Sequence, residues 1–106
     1  MKESDIQSQI MIALGNHPEV AWVYVTSAGS FRVRGGYMTV GVKGMPDILG
    51  QMRNGKMLGV EVKKPKQTPS PEQYEFLEMM TKNGAIAGWC TNVKGALDII
   101  NGENIN

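Results

Sequence analysis

Residues 47–63 constrain the fold of this chain more than any other part of the sequence. Asp47 stands fourteen positions before Glu61, and the turn-forming pair Asn54-Gly55 lies near the midpoint between them. Apolar residues flank the turn on both sides, so the segment is predicted to fold as a β-hairpin that brings Asp47 beside Glu61. Lys63 lies on the same strand face as Glu61, because the side chains of a strand alternate between two faces.

Two carboxylates and one ammonium group in one small site suggest a specific chemistry. Carboxylate oxygens suit a hard divalent cation such as Mg²⁺ or Mn²⁺. A lysine beside the cation can stabilise charge that develops on a phosphate, or can help to position an attacking water. The pattern of Asp47, Glu61 and Lys63 therefore indicates phosphodiester hydrolysis.

The register of the hairpin decides whether this site can form. A two-residue turn at Asn54-Gly55 would pair Asp47 with Val62 and turn Asp47 and Glu61 to opposite faces. A shared site requires either a three-residue loop, Arg53-Asn54-Gly55, with Gly55 in the left-handed region, or a bulge in one strand.

The chain has 106 residues, with 42% hydrophobic and 20% charged residues, which fits one folded domain spanning residues 1–106. We find no apolar stretch of membrane-spanning length. Cys90 is the single cysteine and lies in an apolar stretch, so a buried thiol and a reducing, cytoplasmic location are expected. Between Arg32 and Lys66, eight basic residues face two acidic ones, which favours a polyanionic substrate.

Hydrophobic periodicity predicts an α/β fold in which helices flank a central mixed β-sheet, in the order α-β-β-β-β-α-β-α. Residues 58–91 form a predicted strand–helix–strand unit with parallel strands. Residues 27–36 are predicted as a loop or a ragged hairpin. The predicted helices are 3–14, 71–82 and 93–100, and the predicted strands are 22–26, 37–42, 47–52, 56–63 and 85–91.

Two further polar residues fall near the predicted site. Glu3 lies on the buried edge of the apolar stripe of the first helix, and Gln73 occupies the capping-box position of the helix that follows Lys63. Trp22, Tyr24 and Trp89 lie in predicted strands and are expected to belong to the core rather than to stack on bases.

Several motifs occur in a fixed order over nearly the whole chain. They are Glu3-Ser4-Asp5-Ile6-Gln7, Ser27-Ala28-Gly29, Val42-Lys43-Gly44-Met45-Pro46-Asp47-Ile48, Glu61-Val62-Lys63, Ser70-Pro71-Glu72-Gln73 and Asn83-Gly84. In this succession the chain resembles the VRR-NUC (virus-type replication-repair nuclease) domain of the PD-(D/E)xK nuclease superfamily. Members of that family often carry Asn where this chain has Ser27, and no role is assigned to Ser27.

The resemblance implies a restriction-endonuclease-like fold and metal-dependent cleavage of DNA in a bacterial or phage-encoded protein. It also implies that Glu3, Asp47, Glu61 and the carbonyl of Val62 surround Mg²⁺ or Mn²⁺, with Lys63 and Gln73 beside them. The resemblance further implies that stand-alone members of the family form dimers that act on branched DNA, including four-way junctions.

We therefore expect a small endodeoxyribonuclease that acts as a homodimer on branched DNA. The alternatives are a nuclease that nicks DNA without selecting its structure, and a non-catalytic DNA-binding module on the same fold. Phosphate contacts are expected from Arg32, Arg34, Lys43, Lys64 and Lys66, and the candidate dimer contacts are Phe31, Val33, Tyr37 and Met38.

Overall fold

The structure is a computed structural model that describes residues 1–26, 29–40 and 42–102, with the backbone alone at 29–33 and 36–40. Three helices and six strands lie within these residues. The helices are α1 (Glu3–Gly15), α2 (Pro71–Lys82) and α3 (Val93–Ile100), and the strands are β1 (Val20–Val25), β2 (Gly29–Val33), β3 (Gly36–Val40), β4 (Ile48–Met52), β5 (Met57–Val62) and β6 (Ile86–Cys90).

A four-stranded sheet in the order β1-β4-β5-β6 forms the centre of the fold. β4 pairs antiparallel with both β1 and β5, whereas β6 lies parallel to β5. The predicted α/β class, mixed sheet and parallel β5–α2–β6 unit are therefore confirmed.

β2 and β3 form a separate two-stranded antiparallel sheet. The order of elements predicted from the sequence contained one strand in this region, so the structure adds a strand before α2. Val33 pairs with Gly36 across a two-residue turn in which Gly35 has φ +89°, a backbone conformation that glycine adopts without strain. This turn lets the chain fold back on itself immediately, which favours a local hairpin over a strand of the central sheet.

The β4–β5 hairpin has the register that a shared site requires. Ile48 pairs with Val60 and Gln51 with Met57, and the backbone N–H of Met52 donates to the carbonyl of Lys56 at 2.8 Å. The loop therefore contains three residues, 53–55, and Gly55 has φ +95°. The predicted three-residue loop is confirmed, and the same register places Asp47 across from Glu61.

The main core lies between the sheet and the helices α1 and α3. Ile10 and Leu14 of α1 pack with Leu58, Val60 and other buried apolar residues of the strands. α2 lies against the opposite face of β5 and β6, where the end of the Met80 side chain fills the space above Gly59. Successive residues of β5 thus alternate between the two helical layers.

Two aromatic residues of β1 do not have the predicted environment. Trp22 and Tyr24 are exposed, so the expectation that they belong to the core is wrong. They pair with Gln51 and Leu49 and point to the α2 side of the sheet, where α2 lies over β5 and β6. Val23, between them, packs against the main core.

Cys90 is buried, as predicted, and its burial raises the pKa of the thiol to about 11. Among the described residues, no helix has both the length and the apolar character needed to cross a membrane.

Candidate functional site

The segment before β4 positions Asp47 at the end of the sheet. Gly44 has φ +85°, and a Cβ added there would lie 2.5 Å from the carbonyl oxygen of Glu72, so a glycine is required at this close approach to α2. Pro46 is fully buried. Thr26 holds the segment from β1: its Oγ1 donates to the Pro46 carbonyl at 2.9 Å, and its N–H donates to the Asp47 carbonyl at 2.9 Å.

Asp47 and β5 are joined by a direct hydrogen bond. The backbone N–H of Val62 donates to Asp47 Oδ2 at 2.9 Å. The N–H of the next residue, Lys63, points the other way and donates to Cys90 on β6. Because the N–H and C=O of one strand residue point to the same side, the carbonyl of Val62 also points towards Asp47.

Glu61 is the most deeply buried charged residue of the site, with 1% of its surface exposed. Its Oε2 accepts a hydrogen bond from Gln73 Nε2 at 3.1 Å and lies 3.5 Å from Lys63 Nζ. Its Oε1 is buried and accepts no hydrogen bond from any residue that the structure describes. A buried carboxylate oxygen without a donor is costly in free energy, and a bound cation would remove that cost.

Glu3 brings a third carboxylate from the first turn of α1. Glu3, Asp47 and Glu61 each offer an oxygen atom, and these atoms all lie within 4.8 Å of one another. Three carboxylates that are far apart in the sequence thus converge at one end of the sheet. The lysine predicted to accompany them, Lys63, is close to Glu61 and has 18% of its side chain exposed.

The electrostatics of the cluster penalise its negative charge. Burial and, next, the neighbouring carboxylate of Asp47 together raise the pKa of Glu61 from 4.5 to about 8, and Lys63 opposes part of this rise. Such a perturbed carboxylate beside a second carboxylate is typical of a functional site. The same pair is stabilised in its charged form when a cation lies between the oxygens.

Gln73 connects the site to the start of α2. Its backbone N–H donates to Ser70 Oγ at 3.2 Å, and its Oε1 accepts from the Ser70 N–H at 2.8 Å, which together form a capping box. The remaining amide group, Nε2, is therefore free to donate to Glu61. One side chain thus ends the loop, caps the helix and orients a buried carboxylate.

The donor set fits a hard divalent cation. The carboxylate oxygens of Glu3, Asp47 and Glu61 and the backbone carbonyl of Val62 are oxygen ligands of the kind that Mg²⁺ and Mn²⁺ prefer. The buried Oε1 of Glu61, which lacks a donor among the described residues, points to the same conclusion.

The basic residues proposed to contact phosphates are mostly at the surface. Arg34, Lys43, Lys64 and Lys66 are exposed, and Lys43 Nζ lies 3.5 Å from Glu72 Oε1. The side chain of Arg32 lies outside the described residues, as do the side chains of the candidate dimer contacts Phe31, Val33, Tyr37 and Met38.

Sequence reasoning missed Thr26. A single threonine at the end of a strand carries no signal of function, and its part in holding Asp47 depends on the pairing of β1 with β4. The pairing of β4 with β5 can be argued from the length of the loop between them. The pairing of β4 with β1 cannot, because no short loop joins those two strands.

Two comparisons with known proteins give matches for this chain. The model of the VRR-NUC domain family matches residues 36–94, which is more than half of the chain. A solved structure described as a VRR_NUC domain superposes with a TM-score of 0.58 at 24% sequence identity, covering 96% of this chain and 97% of that chain. A comparison with curated proteins found no match.

Proposed function

We propose, from the premise that this chain belongs to the VRR-NUC domain family, that it is a metal-dependent endodeoxyribonuclease for structured DNA, with four-way junctions as its substrate. Membership makes it a nuclease-type domain of the PD-(D/E)xK kind, for which DNA is the substrate. The observation that carries the finer proposal is the convergence of Glu3, Asp47 and Glu61 beside Lys63.

Asp47, Glu61, Glu3 and the carbonyl of Val62 are the proposed ligands of Mg²⁺ or Mn²⁺. When bound, such an ion lowers the pKa of a coordinated water and polarises a phosphate oxygen. Asp47 is well suited to this role because its other oxygen is held by the Val62 N–H. Glu61 keeps Oε1 available, since Gln73 and Lys63 both approach Oε2.

Lys63 is proposed to act on the phosphate, and Gln73 to position Glu61. The ammonium group of Lys63 is partly exposed and can face both Glu61 and an incoming phosphate, where it would stabilise negative charge that develops on the phosphate oxygens. Gln73 is a positioning residue, because its amide holds Glu61 and its backbone is fixed by the cap of α2.

The exposed basic residues Arg34, Lys43, Lys64 and Lys66 are proposed to contact DNA phosphates without selecting bases, and Arg32 is proposed to join them. Selection would then depend on the shape of the DNA. A homodimer would supply two sites related by a two-fold axis, as symmetric cutting of a four-way junction requires.

A single assay tests the reaction and its substrate. The protein is incubated with four-way junction, flapped, nicked and linear duplex DNA, each with Mg²⁺, Mn²⁺ or EDTA. The expected result is cleavage of the junction that depends on the metal. Equal cutting of all four substrates would instead support a nuclease without structural selectivity, and binding without cutting would support a non-catalytic module.

Asp47→Asn tests the assignment of the site. It should abolish cleavage while DNA binding stays intact or tightens, because it removes negative charge that faces phosphates. Asp98→Asn is a matched control, since Asp98 pairs with Lys94 on α3, away from the carboxylate cluster. Activity that persists in Asp47→Asn would overturn the proposed site. Sedimentation equilibrium of the wild-type protein tests the dimer.

A further inference from the structure

The exposed aromatic residues of β1 lie on the same sheet face as the carboxylate site. Trp22 pairs with Gln51 and Tyr24 with Leu49, while Leu49 pairs with Gly59 of β5. Gly59 and Glu61 are two residues apart on one strand and therefore share a face. Trp22 and Tyr24 thus form an aromatic strip that leads along β1 towards the carboxylates.

The strip lies within reach of a strand bound at the site. Thr26 follows Tyr24 by two residues and is hydrogen-bonded to Asp47. With a rise of about 3.4 Å per residue, Tyr24 lies about 7 Å and Trp22 about 14 Å back along β1 from the level of Asp47. A few nucleotides of a single strand cover that length, at about 3.4 Å each when stacked.

The ring of Trp22 is held in place before any ligand binds. Its indole Nε1 donates to Gln51 Oε1 at 3.0 Å, and Gln51 Nε2 donates to the carbonyl of Gly55 at 3.2 Å. The side chain remains exposed although its polar group is satisfied. A fixed ring loses little conformational entropy when a planar ligand stacks on it.

The size of the surface argues against a second copy of the chain as its occupant. Trp22 is 45% exposed, Tyr24 58% and Met57, in the same row as Trp22, 41%. At roughly 200 Å² for a side chain of this size, they leave about 300 Å² of apolar surface. A stable protein interface buries about 800 Å² on each partner, so this patch is too small for one, whereas it suits two or three bases.

The charges along the strip also suit a nucleic acid strand. Lys63 lies at the carboxylate end of the strip and on the same face. Arg53 and Lys56 are exposed at the hairpin-loop end, but Arg53 Nε donates to the carbonyl of Pro18 at 2.8 Å, and Lys56 adjoins Met57 and therefore lies on the opposite strand face. The strip itself carries no charged side chain at Trp22, Tyr24, Leu49 or Gln51. Exposed aromatic rings near a basic side chain are a common arrangement for binding single strands.

We propose that Trp22 and Tyr24 stack on unpaired bases next to the scissile phosphate, so that the preferred substrate is branched DNA with a short single-stranded segment at the branch. This inference rests on the proposed function for branched DNA as the substrate and for the position of the scissile phosphate.

The test measures binding separately from cleavage. Two fluorescently labelled branched duplexes are compared. The first carries about three unpaired thymidines at the branch, and the second carries abasic sites at the same positions, which keep the phosphates and remove the bases. Binding is measured by anisotropy with Ca²⁺ in place of Mg²⁺. Wild-type protein should bind the thymidine form at least tenfold more tightly than the abasic form.

Variants then assign the effect to the two rings. Trp22→Leu/Tyr24→Leu should lower affinity for the thymidine form at least tenfold and make the two DNAs equivalent, because leucine is apolar but has no ring face. Trp22→Phe/Tyr24→Phe should recover most of the preference. Ile12→Ala, an exposed apolar position on α1, is the surface control. Thermal melting of each variant checks that it is folded.

Each remaining outcome is decisive. Equal binding of the two DNAs by the wild type, or a thymidine preference that survives in the leucine variant, would overturn the proposal. A leucine variant that changes the sedimentation mass would also overturn it and would identify a second copy as the occupant. Base-dependent binding without cleavage in Mg²⁺ would support the stacking role and refute the nuclease function, and cleavage without base dependence would do the reverse.

Discussion

Removing the charge of Glu61 should change how the stability of the metal-free protein depends on pH. The folded state raises the pKa of this carboxyl from 4.5 to about 8, chiefly by burial and next by the charge of Asp47. The folded protein therefore holds a proton that the unfolded chain releases, and stability falls as the pH rises from 4.5 towards 8. Glu61→Gln removes the titrating group, so the variant should lose this part of the pH dependence.

The size of the effect follows from the same shift. Each tenfold change in proton affinity corresponds to about 1.4 kcal/mol, so a change of this magnitude is worth on the order of 5 kcal/mol between pH 4.5 and pH 8. A domain of this size has a free energy of unfolding of about 5–15 kcal/mol. The loss should therefore be visible as a large drop in the urea midpoint.

Urea unfolding in EDTA at several pH values between 5 and 8 measures the effect. The wild-type midpoint should fall across this range, and the midpoint of Glu61→Gln should fall much less. Glu75→Gln is the control. Because Glu75 is an exposed residue of α2, this variant should show the same fall of the urea midpoint with rising pH as the wild type. Addition of Mg²⁺ at pH 8 should restabilise the wild type more than Glu61→Gln, since only the wild type keeps the carboxylate.

Two results would refute this reasoning. If the metal-free wild type is as stable at pH 8 as at pH 5, the carboxyl of Glu61 is not destabilised by its surroundings. If the urea midpoint of Glu61→Gln falls with rising pH as steeply as that of the wild type, the pH dependence arises from another group.

Three further predictions test other parts of the structure. Gly44→Ala should lower the free energy of unfolding by at least about 2 kcal/mol in urea titrations, because a Cβ would clash with the α2 backbone, whereas Gly55→Ala, with open space around it, should cost about 1 kcal/mol. Lys66 has φ +74°, which glycine adopts without strain, so Lys66→Gly should raise the free energy of unfolding by no more than about 1 kcal/mol or leave it unchanged. The same variant should bind DNA more weakly, and the slope of log K against log salt concentration should fall in magnitude by about 1. Gln73→Glu keeps the capping acceptor but replaces the amide donor of Glu61 with a second negative charge, so cleavage should fall at least tenfold and the melting temperature should fall as well; cleavage at the wild-type rate would mean that Gln73 serves the helix alone.

Local patterns in the sequence were sufficient for most of the elements. α3 has its predicted bounds, and α2 begins at Pro71, where Ser70 and Gln73 form the capping box expected from their spacing. The strands of the β4–β5 hairpin followed from alternation, and its three-residue loop is one of the two arrangements, a bulge being the other, that a shared site required. These features depend on residues close together in the chain, which is why sequence could specify them.

The site was predictable only in part. The facing of Asp47 and Glu61 follows from hairpin register, which is local. Glu3 meets both of them from α1, and Thr26 supports Asp47 from β1. The lack of a hydrogen-bond donor for Glu61 Oε1 among the described residues likewise depends on elements far apart in sequence. No spacing rule specifies such contacts, because they depend on which strands pair and where helices dock.

The exposure of Trp22 and Tyr24 is a second feature that the local sequence does not determine. Alternation along β1 indicates that these two side chains share one face, but both faces of a strand can be buried when helices cover the whole sheet. Here α2 packs on β5 and β6, and its Met80 occupies the space above Gly59, so the β1 part of that face stays open. Chain order and composition thus specified the strand, whereas the position of a helix docked two strands away determined that its aromatic rings face solvent.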